Sequence, residues 1–422
     1  MNERLLQFIW QFQHFNTRSL ILSSGESLQI IHPGTWNHHQ GPDFSSARIK
    51  IGDTLWAGNI EIHVLASDWY KHAHDGDPNY QNIILHVVWQ EDEMIRDVSG
   101  HIIPTLVLTG KIPGVLMDRY AQMMDTVRQV PCHHFLPGAS ELIWYAWKER
   151  LMIERLERKS AGIIKQLQQT GNHWDEVFWQ QLSSGFGSKT NAAFFEQIAK
   201  TLSFTILQRH RNMPIELEAL LLGQAQLLQK KRTDAYHQTL SKTYQHLKRK
   251  YQLMSPVGQP AFLRMRPASF PTIRLSQLAM LLHYRENLFD MVRNTESIDN
   301  LIQIFHVKAS QYWNQHYRFD EPASLSLKWI GRQMTVHLLI NSVIPMVFSY
   351  GLERNLQPYK DKAIQWLYAL EAEQNRITRY WQSAGIHNRC ALDSQSLIEL
   401  NTQYCVNKRC LDCAIGNRLL RQ

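Results

Sequence analysis

Residues 41–64 read GPDFSSARIKIGDTLWAGNIEIHV, and the fold of the first third of the chain turns on them. Ala47, Ile49 and Ile51 alternate with Ser46, Arg48 and Lys50, the period of two that a half-buried strand requires. Gly52-Asp53 supplies a turn, and Trp56 to Val64 reads as the returning strand of a hairpin. Side chains alternate across a strand, so Glu61 and His63 share one face while Ile60, Ile62 and Val64 take the other. Pairing 44–51 with 56–64 sets residues near 43 opposite 63–64, so Asp43, Glu61 and His63 are expected to converge on one rim.

Outward from this hairpin the pattern stays mixed. Leu28-Gln29-Ile30 is a short strand, and residues 82–89 (NIILHVVW) form an apolar run suited to a strand buried on both faces. Residues 102–108 (IIPTLVL) make another, pushed towards a sheet edge by Pro104. Leu5, Leu6, Ile9 and Trp10 recur at helical spacing and predict a helix over 2–15. After Pro131 the texture is helical. A long helix runs from Trp144 to Gln168, and others lie near 174–183, 191–209, 214–229, 234–253, 274–293, 297–304, 323–349 and 358–383. Pro256, Pro260, Pro267 and Pro271 mark a break in the middle. The expected class is α+β: a mixed α/β domain over 1–130, a large all-α domain over 131–385 and a cysteine-containing tail over 386–422.

The chain has 422 residues, 44% hydrophobic and 19% charged, which places it among ordinary globular proteins rather than disordered ones. Its longest apolar candidate, Val336 to Val347, is interrupted by His337, Asn341 and Ser342 and is too short to span a bilayer. The first residues lack a signal-peptide layout. A soluble cytoplasmic protein with no membrane partner is therefore expected. The formal charge of +8 favours a polyanionic partner, DNA or RNA, because Lys and Arg that neutralise phosphates release counterions. The sequence is silent on oligomeric state.

Two carboxylates on one rim, Asp43 and Glu61, suit a divalent metal such as Mg2+ or Mn2+, with His63 placed to orient or deprotonate a water. Residues 63–86 (HVLASDWYKHAHDGDPNYQNIILH) continue the cluster, and His32, His38 and His39 precede it. His72-x-His74 suits contact with metal or substrate phosphate, with Asp75 or Asp77 completing the set. Asp68 also fits a helix N-cap, Asp77-Pro78-Asn79 a turn, and His86 a hydrogen-bonded core position. Near the end stand Cys390 and then Cys405-x4-Cys410-x2-Cys413, four thiolates that suit zinc or an iron–sulfur cluster. His387 or Cys132 is an alternative to Cys390, and such a closed site would clip the tail to the body. The basic groups Lys230-Lys-Arg232 and Lys248-Arg-Lys250 flank a helix expected over 233–247 and suit a phosphate backbone as well as a solvated face. Gly-x-Ser-x-Gly is absent, and Gly185-Phe-Gly187 lacks the Lys-Ser/Thr of a phosphate loop.

The order helix, strand, Pro42-Asp43, Glu61-x-His63 resembles the PD-(D/E)xK phosphodiesterase fold of restriction-type and repair nucleases. In that resemblance Asp43 sits at the family's first acid, Glu61-x-His63 at its E-x-K, and Glu3 or Glu26 at the extra acid of some members. The implied activity is metal-dependent cleavage of a nucleic-acid phosphodiester. His63 stands where the family has lysine, so its role as base or metal ligand stays open. The chain as a whole resembles a bacterial family of uncharacterised proteins. That likeness is carried by Gly41-Pro-Asp-Phe44, Trp56-x-Gly58-Asn-Ile-Glu-Ile-His63, Ser67-Asp-Trp69, His72-x-His74, Asp77-x-x-Tyr80 and Leu85-His-Val-Val88. Further on it includes Phe186-Gly187, Glu218-Ala-Leu-Leu221, Arg266-Pro267 and the stretch from Tyr404 to Gly416. It implies no activity. Two rivals to the nuclease reading are a non-catalytic nucleic-acid-binding or scaffold protein, and a His/Asp metallohydrolase of another substrate.

Overall fold

The structure, a computed structural model, describes residues 1–37 and 40–421, so His38 and His39 of the expected cluster lie outside the described residues. The chain separates into two compact units, one of residues 1–147 with 400–422 and one of 148–399. The divisions expected at 130 and 385 lie a short way N-terminal of these. The expected tail is divided: residues 386–399, with Cys390, belong to the helical unit, and residues 400–422, with Cys405, Cys410 and Cys413, to the sheet unit.

The first unit opens with helix α1 (Glu3–Gln11), whose N-cap Asn2 accepts from the Leu5 amide. Its apolar face (Leu5, Leu6, Phe8, Ile9, Trp10) is buried, and the helix packs on strand β5 (Thr54–Leu65). It ends sooner than the 2–15 expected, because Gln13 takes a positive φ of 54°. The other strands are β1 (Leu20–Ile21), β2 (Ser27–His32), β3 (Thr35–Trp36), β4 (Phe44–Ile51), β6 (Ile83–Gln90) and β7 (Thr105–Val107). They form one sheet in the order β1-β2-β4-β5-β6-β7, with β3 paired to β4. The pairs from β1 to β5 are antiparallel, whereas β5/β6 and β6/β7 are parallel. A parallel pair needs a crossover, and here it is the segment between β5 and β6, containing helix α2 (Asp68–Lys71) and two 3-10 turns. β6 is buried along most of its length, as its apolar run predicts, and β7 is the short edge strand expected beside Pro104.

The hairpin register differs from expectation. Phe44 faces Ile60, not a residue near 63–64, and a bulge interrupts the ladder between Phe44 and Ala47, where Ser46 has a φ of 58°. A bulge adds a residue to one strand and re-aims the side chains beyond it. Asp43 therefore arrives beside Glu61 and Ile62.

The second unit is helical around one large apolar core. The long helix is observed as Glu141–Gln169, beginning in the first unit. The helices expected at 174–183 and 191–209 are separate: non-helical backbone at Ser188 (φ 50°) breaks the span Trp174–Thr201 into two, and the second stretch is broken again before Phe204–Arg209. Residues 323–331 are not helical, and the stretch expected over 358–383 divides into Gln357–Ala369 and Arg376–Ser383. The run Arg332–Glu353 is 22 residues and contains an 18-residue window of mean hydropathy 1.4, long and apolar enough to cross a membrane, unlike the shorter Val336–Val347 candidate. Most of that window is buried inside the unit.

Candidate metal centre

The site is built where α1, the head of β4, the middle of β5 and the crossover meet. Asp43 and Glu61 interlock through the backbone. The Asp43 amide donates to Glu61 Oε2 (2.9 Å), and the Ile62 amide donates to Asp43 Oδ2 (3.2 Å). Gln7 of α1 donates from Nε2 to Asp43 Oδ1 (2.8 Å). Both carboxyls are held above their ordinary range by burial; the charge of Glu61 raises Asp43 further, and Glu3 raises both. Each lowers its own cost by accepting amide bonds, which favour the charged form.

Glu61 also faces two imidazoles. His74 Nε2 lies 3.3 Å and His63 Nε2 3.6 Å from its Oε1. Glu3, on the first turn of α1, stands 3.8 Å from the same His63 nitrogen. His63 is fully buried. Its Nδ1 pairs with His86 Nε2 at 2.8 Å, and its Nε2 lies 3.2 Å from His72 Nδ1. Burial, and then the neighbouring His86, His74 and His72, push His63 down to about 2, so it is neutral. His86 is likewise held neutral, pushed down to about 3 by burial. Three ring nitrogens, one each from His63, His72 and His74, lie within 4.8 Å of one another. His63 is the innermost of the three and His72 is exposed, so the trio runs from the sheet interior to solvent. Tyr80 stacks on His74 (3.9 Å between centroids), and Trp69 presents its edge to His63 and His74.

The residues expected from the sequence divide clearly. Asp43, Glu61, His63, His72 and His74 come together. Asp77 caps the 3-10 turn Pro78–Tyr80 through the Asn79 amide and reaches His74 only as a nearby charge. Asp68 is not the N-cap of α2, which is Ser67; its carboxylate accepts from the Leu65 amide and pairs with Lys71. His86 occupies the core position expected of it, with the added task of holding His63. Of the two additional acids, Glu3 is at the site, whereas Glu26 bonds to Ser24. Gln7 is a site residue that the motifs do not reveal. It sits one turn after Glu3 on α1, and the i,i+4 spacing is the one signal for it. Cys390 packs in the helical unit, next to Asp393 and Lys148. The cysteine that keeps company with Cys405, Cys410 and Cys413 is Cys132.

A tight trio of nitrogen donors beside paired carboxylates is a donor set for a divalent transition metal. His63 has the arrangement typical of a metal-bound imidazole, with one nitrogen towards the site and the other held from behind. Among known proteins, neither a curated sequence nor a solved structure matches this chain. A family model described as "Protein of unknown function (DUF2851)" matches residues 3–376, and the chain belongs to that family.

Proposed function

We propose that this member of the DUF2851 family is a metal-dependent phosphodiesterase acting on nucleic acid, with its metal held by Asp43 or Glu61 together with His63, His72 and His74. The observation that carries the reading is the convergence of three imidazole nitrogens within 4.8 Å, two of them beside the Glu61 carboxylate. Mg2+ asks for oxygen ligands in octahedral geometry, whereas imidazole suits later divalent ions, so the mixed set favours Mn2+ over Mg2+. When bound, such an ion polarises a phosphoryl oxygen and makes a water more acidic. The chain's own part is to hold Asp43 and Glu61 through amide bonds, to keep His63 neutral with Nε2 facing the acids, and to present exposed His72 towards an incoming phosphate. Support for a phosphodiester comes from the formal charge of +8 and from the order of elements: a helix, antiparallel strands, then a crossover to a parallel strand, with Asp43 and Glu61 on adjacent strands.

The test is cleavage of DNA and RNA substrates with Mn2+ or Mg2+ by wild type, Asp43→Ala and Glu61→Ala. Cleavage lost in both variants, with circular dichroism unchanged, is expected. Wild-type rates in both would sink the assignment. Salt-dependent binding without turnover by wild type would favour a binding protein instead. The histidine trio favours one further reading, a zinc or iron hydrolase of another substrate, and tight stoichiometric metal at the histidines without nucleic-acid cleavage would select it.

A further inference from the structure

Four of the five cysteines meet inside the sheet unit, although residue 132 is far in sequence from the other three. Cys132 precedes the 3-10 turn His133–Gly138, Cys405 ends the π-helical turn Leu400–Cys405, and Cys410 and Cys413 lie in the turns before the C-terminal helix Ala414–Arg421. All four are buried, none is in a disulfide, and they line one small cavity with Pro131, Tyr404, Arg409 and Gly416. Cys413, Cys132 and Cys410 are the titratable neighbours of the Cys405 sulfur.

The backbone amides of Gly416 and Ile415 lie towards the Cys413 sulfur. Amides aimed at sulfur bring little to a neutral thiol and much to a thiolate. Gly416 cannot be replaced without opening the cradle, because a Cβ there would lie 2.3 Å from the Cys410 carbonyl oxygen.

Spacing tells what kind of centre fits. Tetrahedral zinc with Zn–S bonds of ~2.3 Å gathers its sulfurs to within ~4 Å of each other. Among the described residues, the donor trio that closes to within 4.8 Å is the histidine one, so no three cysteine sulfurs stand at zinc spacing. A polynuclear centre spreads its four thiolates more widely. We infer that Cys132, Cys405, Cys410 and Cys413 ligate an iron–sulfur cluster. The four thiols release their protons as four Fe–S bonds form, with iron and sulfide supplied on assembly. The inference stands independently of the nuclease reading, since it shares no residue with the histidine site.

The experiment is iron, acid-labile sulfide and zinc analysis of the full chain purified without oxygen, together with its visible spectrum. Iron and sulfide with broad visible absorption are expected in wild type and in Cys390→Ser, and should be lost in Cys132→Ser and Cys405→Ser. Native mass spectrometry of wild type gives a second reading that needs no variant, because a cluster adds iron and sulfide mass together. One zinc per chain, no metal, or iron retained in Cys132→Ser but lost in Cys390→Ser would overturn the inference.

Discussion

His86 makes the case for reading this site residue by residue. It is fully buried, and its Nε2 lies 2.8 Å from Nδ1 of His63, so it fixes the ring that faces Glu61. Groups that hold a metal-bound imidazole from behind typically change affinity by about 10–100-fold when removed. His86→Ala is therefore expected to weaken Mn2+ binding by about that factor, read by calorimetry on a chain whose circular dichroism is intact; unchanged affinity would remove His86 from the site. A second prediction concerns Lys159 of the helical unit, whose Nζ donates to the Asn341 side chain (3.2 Å). Burial, then Arg155 and Arg158, hold its pKa down at about 7 against an ordinary 10.5. The unfolded chain then binds the proton more tightly, so this lysine's contribution makes stability rise with pH between about 7 and 10.5. Below that window both states are protonated and the penalty of a buried charge is fully present. Lys159→Met is expected to remove this slope from urea unfolding measured across the window; equal slopes in both chains would contradict it. Asp43, Glu61 and His63 were legible in the sequence because a period of two fixes which side chains share a face. Cys132 was legible only as a substitute for Cys390, since nothing local to residue 132 says that chain from beyond residue 400 will return to it.

At the scale of elements, what the sequence left open was mostly register and the ends of helices. The β4–β5 hairpin and its Gly52-Asp53 turn could be read directly, but the bulge at Ser46 could not, because serine carries no strong signal for a positive φ. Residues 323–331 were expected to be helical, yet Leu325, Leu327 and Trp329 repeat every second residue and are exposed, and Trp329 forms a bridge with Lys308. The period was that of an extended segment; proximity to the strong helix starting at Arg332 masked it. The parallel pair β5/β6 rests on Gly58. A Cβ at this position would lie 2.5 Å from Ile84 Cγ2 and 2.8 Å from the Asn82 carbonyl oxygen, where the crossover enters β6. Overpacking of this kind typically costs about 1–3 kcal/mol. Gly58→Ala is expected to lower stability by that amount in chemical denaturation and to loosen the crossover that carries His72 and His74, weakening Mn2+ binding as well. A variant as stable as wild type would mean that the strands separate freely there.

For the whole molecule, the informative fact is that the sheet unit is discontinuous, with residues 400–422 belonging to it and 148–399 folding as a separate unit. The tail is tied to the sheet unit by named interactions. Arg4 pairs with Asp412 at 2.7 Å, Arg119 donates to the Leu419 carbonyl at 3.1 Å, and Gln129 donates to the Asn401 side chain at 2.9 Å. Exposed ion pairs of this sort contribute little individually. Apolar burial contributes more: Leu400, Ile415, Leu419 and Leu420 are each almost wholly buried. At about 1.5–3 kcal/mol for each such side chain, their removal forfeits roughly 6–12 kcal/mol, comparable with the about 5–15 kcal/mol that holds a typical domain together. A chain ending at Glu399 is therefore expected to lose the sheet unit while the helical unit, which keeps every one of its own residues, remains folded. Hydrogen exchange read by mass spectrometry separates the outcomes, since peptides from 1–147 should exchange freely and those from the interior of 148–399 should stay protected. Protection kept in both regions would show that the tail is dispensable to the sheet unit, and protection lost in both would show that the two units do not fold independently. The division also explains why a metal-knuckle spacing at the C-terminus bears on a sheet at the N-terminus: the amphipathic last helix, Ala414–Arg421, packs on the helix Gly114–Asp125 and the turn His133–Gly138 of the same unit.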